Sequence, residues 1–327
     1  MQRPISCLVV DVGGTNTRLY YSEDIRIPDI EYEEIQMFPV RSISALKNAV
    51  VKTMAGLGRK PDSTLFAMAG IVKDHKTGMS TNWDERSTLS VEMFRSWGLP
   101  ENTILVNDLE AAAYAIDAVA FATSRPGIIH LNSKEPVQFS NSVVIAPGTG
   151  LGMAVLVYAD SKVPVVLTSE AQHCCAGSFF KRHRDIIRSY EDNTGTAPSW
   201  EDLVSGRGLE YLYYYGTGIK CSASRVAELG AEGNAEALRA IHDYYHFAAE
   251  AAQTLALLVR PTGGVYLCGD TTVKNKEIIL HSDFADRFCA NPVHGPTLAD
   301  FPLSILNAPH LVISGGVRMG QIYFLSP

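Results

Sequence analysis

Two glycine-threonine turns, each set between apolar β-rich runs, constrain this chain more than any other feature. They are CLVVDVGGTNTRLYYS at the start and NSVVIAPGTGLGMAVLVYA in the middle. A strand that stops at glycines and resumes as a second strand reads as a hairpin with a phosphate-sized loop at its tip. The shared pattern, Asp11 to Thr17 and Pro147 to Gly152, reads as an internal duplication. A duplicated half within 327 residues implies two domains or lobes rather than one core.

The rest of the chain fits an α/β class. Ser42 to Leu57 carries helical spacing, STLFAMAGIV reads as a strand, and TILVNDLEAAAYAI reads as a strand running into an Ala-rich helix. Asp202 to Tyr215 and Ala235 to Val259 have helical periodicity. GGVYLCGD and FPLSILNAP read as strands, and a last helix is expected near Gly316 to Phe324.

Composition excludes several function classes. Lys and Arg number 28 against 35 Asp and Glu, a net charge of -7, and no basic stripe could neutralise nucleic-acid phosphates. No apolar run reaches the ~20 residues of a membrane helix, and no cleavable leader pattern opens the chain, so a cytoplasmic protein is expected. The six cysteines show neither a CxxC pair nor paired Cys/His ligand spacing, and are expected to be reduced and mostly buried.

In DVGGTNTR, Gly13 and Gly14 let main-chain N–H groups approach an anion, and Thr15, Asn16 and Thr17 add short donors, with Arg18 as further charge. Asp11 ends the first strand. A carboxylate beside a phosphate is repelled unless a cation lies between them, so Asp11 is the candidate ligand of Mg²⁺. In APGTGLG, Gly148, Thr149 and Gly150 form a second cradle. Neither loop is a Walker-A or a GxGxxG sequence. The plain alternative is that a Gly-Gly-Thr segment only closes a hairpin.

Asp108 stands where the strand TILV gives way to the helix EAAAYAI, a place from which side chains reach a ligand crevice in α/β proteins. Phosphoryl transfer to a hydroxyl needs one carboxylate within reach of the attacking O–H, and Asp108 is the candidate base. It could equally be a helix cap. Glu170, His173 and Glu201 form a second polar group whose carboxylates and imidazole suit a polyol. E-x-x-H also occurs as an ordinary helix-face pair.

Taken in order, DVGGTNTRL, TNWDERSTLS, VNDLEAAAYAI, APGTGLG, SEAQH, EDLVSGRGLEYLY, GGVYLCGD and NAPHLVISGG resemble the bacterial-type glucokinases of the hexokinase/actin superfamily, over nearly the whole chain. The resemblance implies a two-lobed, actin-like ATPase (ribonuclease H-like) fold with an inter-lobe cleft. It implies a small lobe of residues 1–109 plus 308–327, a large lobe of 110–307, and commonly a dimer. It implies ATP and Mg²⁺ as cofactors and glucose as acceptor, phosphorylated at its 6-hydroxyl.

By the same resemblance Asp108 is the base, Asn107 and Asn82 hold sugar hydroxyls, and Glu170, His173 and Glu201 face the 1, 2 and 3 side of the ring. Gly269 lies by the nucleotide. The chain departs from the family at Ala171 and Gln172, which replace two glycines, and at Asp270, where a second glycine is usual. Cys174 and Cys175 follow His173 without the zinc spacing of the related branch that phosphorylates N-acetylated sugars. The rival readings are a kinase for mannose, fructose or an aminosugar, a non-catalytic sugar-binding regulator on this scaffold, and an actin-like ATPase acting on something other than sugar.

Overall fold

A computed structural model of the chain describes residues 3–13, 16–27, 34–80, 83, 87–119, 127–159 and 162–325. The chain forms two compact units, Met1–Pro126 with Ala308–Pro327, and Gly127–Asn307.

The first unit is built on a five-stranded sheet of β1 (Cys7–Val12), β2 (Asn16–Ser22), β3 (Gln36–Pro39), β4 (Ser63–Met68) and β8 (Thr103–Asn107) in the order β3-β2-β1-β4-β8. β1 and β2 form the expected antiparallel hairpin, while β1, β4 and β8 run parallel. Every residue of β1 is buried, as expected for a parallel-sheet strand covered on both faces. Short strands β5 (Val72–Lys73), β6 (Thr77–Met79) and β7 (Thr88–Ser90) make a separate sheet.

Helix α1 (Ile43–Gly56) starts on a Ser42 cap that accepts from Ala45 N–H, and α2 (Val91–Ser96) on a Ser90 cap. One core cluster includes Leu8, Val10, Phe66 and Phe94, with the rings of Phe66 and Phe94 stacked 3.7 Å apart. Helix α3 (Asp108–Val119) lies against α13 (Leu311–Leu325). The approach is so close that a Cβ on Gly315 would stand 1.6 Å from the Ala111 carbonyl oxygen. This packing moves the sequence-expected division at 109/110 to 126/127, because α3 stays with the first unit.

The second unit repeats the first sheet's plan. β9 (Ile128–His130), β10 (Ser142–Pro147), β11 (Leu151–Val157), β12 (Val165–Ser169), β13 (Gly264–Leu267) and β14 (Leu303–Leu306) lie in the order β12-β11-β10-β13-β14-β9. β10 and β11 form the antiparallel hairpin, and β10, β13 and β14 run parallel. Without its edge strand β9, this is the first sheet's order and sense, so the duplication read from the two Gly-Thr turns is present in the topology.

Helices α4 (Lys181–Thr194), α5 (Trp200–Leu203), α6 (Gly206–Thr217), α7 (Ala223–Ala231) and α8 (Ala235–Val259) follow, with the short α9 (Asp270–Lys274), α10 (Lys276–Leu280), α11 (Phe284–Cys289) and α12 (Gly295–Leu298). The single helix expected over Asp202 to Tyr215 is two, because Ser205 accepts from Gly208 N–H and caps a new helix there. The core gathers around α8, whose residues Tyr245 and Phe247 are among the largest fully buried side chains. Of the six free cysteines only Cys7 and Cys268 are buried, and Cys174 and Cys175 are exposed on a surface turn, contrary to expectation. Among the described residues no helix is long and apolar enough to cross a membrane.

Candidate active site

In the first unit, the parallel register sets Asp11 beside Ala67 and Met68 beside Asn107. Asn107 ends its strand and Asp11 is the last residue but one of β1, both beside β4 at the carboxyl edge where open α/β sheets take ligands. The turn after β1 closes through Gly13 N–H donating to the Asn16 carbonyl at 3.1 Å. Asp11 is 6% exposed, and Arg18 Nη1 donates to its Oδ2 at 3.0 Å from the opposite position of the hairpin. Arg18, offered by the sequence as charge for a ligand, thus pairs with Asp11. Thr17 is fully buried in β2 and is not presented as a donor.

Helix α3 begins at Asp108, but Asn107 is its main cap. Asn107 Oδ1 accepts from Leu109 N–H at 2.9 Å and Glu110 N–H at 3.1 Å, and its Nδ2 donates to the Gly70 carbonyl at 2.9 Å. Asp108 Oδ1 accepts from Leu109 N–H at 2.8 Å. Burial, and after it the Asp11 carboxylate, push the Asp108 carboxyl from an ordinary 3.8 up to about 6, against the opposing pull of the Leu109 N–H. A carboxylate so placed is a stronger base than a solvated one and is still mostly ionised at neutral pH. Gly14, Thr15 and Asn82 lie outside the described residues.

In the second unit, Gly148 N–H donates to the Gly150 carbonyl at 2.8 Å and leaves Thr149 exposed at the tip of the loop. Glu201, on α5, reaches this loop: its Oε2 accepts from Leu151 N–H at 3.1 Å, and Arg207 Nη2 donates to its Oε1 at 3.2 Å. Gly150 makes room for that carboxylate, since a Cβ there would stand 2.8 Å from Glu201 Oε2. Gly269 caps α9 beside the same loop, 3.9 Å from the Pro147 carbonyl when measured from a Cβ built on it.

His173 ends a 3-10 turn, Ala171–His173, that follows β12, and Glu170 is the residue before that turn. Ser169 Oγ accepts from Ala171 N–H at 3.0 Å, and Glu170 Oε2 lies 3.5 Å from His173 Nε2, both side chains being more than half exposed. The turn is fastened to the start of α5 by Trp200 N–H donating to the Cys174 carbonyl and Ala176 N–H to the Pro198 carbonyl. Glu170, His173 and Glu201 therefore belong to adjoining elements. Gln172 does not point outward from this turn. It is buried, with its amide on Glu170.

Sequence reasoning missed the partners of these carboxylates. Arg18 was recoverable from hairpin register, which places it opposite Asp11. Arg207 and Gln172 follow from a helix break and an inward-facing turn that no short-range pattern announces.

The family model described as Glucokinase matches residues 8–321. The chain is 27% identical over 324 residues to the glucokinase of Sinorhizobium medicae, covering 95% of this chain and 91% of that one. Among solved structures it is similar to a glucokinase from an Antarctic psychrotroph (TM-score 0.80, 24% identity, 96% of this chain and 98% of that one). It is similar also to a glucokinase from Balamuthia mandrillaris in complex with glucose (0.78, 23%, 96% and 93%). A ROK family glucokinase from Streptomyces griseus, in complex with glucose and AMPPNP, matches at 0.63 and 16% over 96% and 98%. These structures share the α/β, actin-like ATPase fold of the sugar kinases.

Proposed function

The chain belongs to the glucokinase family of hexose kinases, and on that premise we propose that it transfers the γ-phosphoryl group of ATP to the 6-hydroxyl of glucose with Asp108 as general base. The observation that carries this reading is the carboxyl of Asp108. It is raised to about 6, starts a helix that Asn107 already caps, and stands at the edge of the sheet that carries Asp11 and the first glycine turn.

Asp108 takes the proton of the attacking hydroxyl as the oxygen–phosphorus bond forms, and the ADP oxygen leaves with the electron pair of the bond that breaks. Backbone N–H groups and hydroxyls of the two loops, Gly13 to Asn16 and Gly148 to Gly150, stabilise the charge on the phosphoryl oxygens. Glu170, His173 and Glu201 bind sugar hydroxyls, with Asn82 and Asn107 as further sugar contacts, and Gly269 borders the nucleotide. Asn107 would have to release the Gly70 carbonyl or share its amide to do so.

Mg²⁺ fits the donor set. Asp11 supplies hard carboxylate oxygen, and its repulsion of Asp108 marks local negative charge that a divalent cation offsets. Asp11 would hold the ion, which when bound neutralises the outer phosphates. The glucose and AMPPNP held by similar enzymes support sugar and nucleotide as the two ligands. The enzyme acts in the cytoplasm as a homodimer.

The test is ATP-dependent phosphorylation of a panel of glucose, mannose, fructose and glucosamine with Mg²⁺, for wild type and Asp108→Ala. Preferred turnover of glucose, abolished by the substitution, supports the reading. A folded protein that binds sugar and turns over none of the panel would point to a regulator.

A further inference from the structure

Gln172 is a side chain that the sugar-site reading does not use. It is 9% exposed and donates through Nε2 to Glu170 Oε2 at 2.7 Å, whereas the Glu170 side chain is 62% exposed. The amide fits only this way round, because turning it over would set its oxygen against the carboxylate oxygen. In consequence Gln172 Oε1 is buried with no hydrogen-bond partner among the described residues. Native structures rarely leave such a group, so its retention asks for a reason.

From this geometry we infer that Gln172 is a positioning residue for the sugar, fixing Glu170 Oε2 so that Oε1 is the oxygen presented to a hexose hydroxyl. The inference rests on the hexose-kinase reading. An exposed glutamate free to rotate loses side-chain entropy when a ligand orders it. Here the loss is taken on folding, since Gln172 at 2.7 Å and His173 at 3.5 Å both converge on Oε2. A carboxylate held by one oxygen accepts a hydroxyl's hydrogen bond from a narrower set of directions, which selects among hexoses differing in the configuration of one carbon. The backbone of the turn is set independently by Ser169, His173 and Cys174, so loss of the amide need not unmake it.

The test compares wild type with Gln172→Met, which keeps the volume and removes the donor, and with Gln172→Gly and Gln172→Glu. Sugar affinity is measured by calorimetry without ATP, and KM and kcat by steady-state assay. Met and Gly are expected to raise the glucose Kd and KM about tenfold, equivalent to about 1.4 kcal/mol. The ATP KM should stay unchanged and kcat within about twofold, as befits loss of ground-state binding. Gln172→Glu should cost more, since it sets two carboxylates together.

Wild-type sugar affinity in Gln172→Met would overturn the inference by showing that only packing matters. Equal losses in the sugar and ATP constants would overturn it too. Both results leave the kinase reading standing. A wild type that neither binds nor phosphorylates any hexose would overturn that reading, and this inference with it. Should the glycine variant fail to fold, the volume-conserving methionine still decides.

Discussion

Asn107 caps the helix that Asp108 begins, accepting from Leu109 N–H and Glu110 N–H, so the capping role that the sequence allowed Asp108 falls mainly to its neighbour. Helix capping and proton transfer are thereby separable at adjacent positions. Asp108→Ala should lower kcat by about 10²- to 10⁴-fold, the usual worth of a positioned base, without lowering the melting temperature. Asn107→Ala should lose about 1 kcal/mol of stability with the cap. Steady-state rates and thermal melts of the two variants distinguish these outcomes.

The raised carboxyl of Asp108 also fixes a pH dependence. Only its ionised form accepts a proton, so kcat/KM should fall as pH drops through about 6. The stability effect has the opposite sign. A carboxyl whose folded pKa exceeds its unfolded value of about 3.9 binds its proton more tightly in the folded state, so stability is lost as pH rises from about 3.9 to about 6 and the full penalty is present above that. Asp108→Asn should therefore melt higher than wild type at pH 8, by on the order of 1 kcal/mol or more, and show no advantage at pH 4. Melting curves at the two pH values check this.

His183 gives a second, independent pH signature. It is buried between α4 and α8, with Nδ1 2.8 Å from Glu250 Oε1 and Nε2 3.8 Å from Asp243 Oδ1. Arg182, His246, Asp283 and Arg287 complete the surrounding charges, and Phe247 stacks on its ring. Burial opposes the charged imidazole, but the Asp243 and Glu250 carboxylates outweigh it and raise the His183 pKa. Stability from a raised histidine is fully present below the unfolded value of about 6.5 and is lost as pH rises through the higher folded value. The melting temperature of wild type should fall between pH 6.5 and 8.5 more steeply than that of His183→Gln. Parallel curves would refute the assignment.

Much of this fold is legible in the chain because its hydrophobic period is clear. α8 spans Ala235–Val259 as its 3.6-residue spacing predicts, and β1 and β10 end at their glycine turns. Misreadings arise where long-range contact decides. The Gly315 approach to Ala111 draws α3 into the first unit, and Ser205 breaks an apparently continuous helix. At the site, residue types were readable but their partners were not. Glu201 looks like a sugar ligand in sequence, yet the fold also ties it to Leu151 N–H in the second loop, a contact between residues fifty apart.

That tie predicts coupling. Gly150→Ala would push a methyl into the space of Glu201 Oε2, and Glu201→Ala would free the Leu151 N–H. Each removes a hydrogen bond to a charged group, worth roughly 1.5–3 kcal/mol. Both variants should therefore raise the ATP and glucose KM values together, by about tenfold or more. A change confined to glucose would show that Glu201 serves the sugar alone.

The contact between α3 and α13 sets the largest expected stability effect. Gly315→Ala cannot be accommodated by a side-chain adjustment, because the added methyl meets the Ala111 carbonyl at 1.6 Å and the following turn at Ala115 N, 3.0 Å away. The two helices must separate, and overpacking a tight interface typically costs about 1–3 kcal/mol, occasionally more. The separation would also shift α3, whose first residue is Asp108. Gly315→Ala should accordingly melt several degrees below wild type and lose kcat more than it loses sugar affinity, since Glu170, His173 and Glu201 lie in the other unit. Retention of full kcat alongside a lowered melting temperature would show that the position of Asp108 does not depend on this packing.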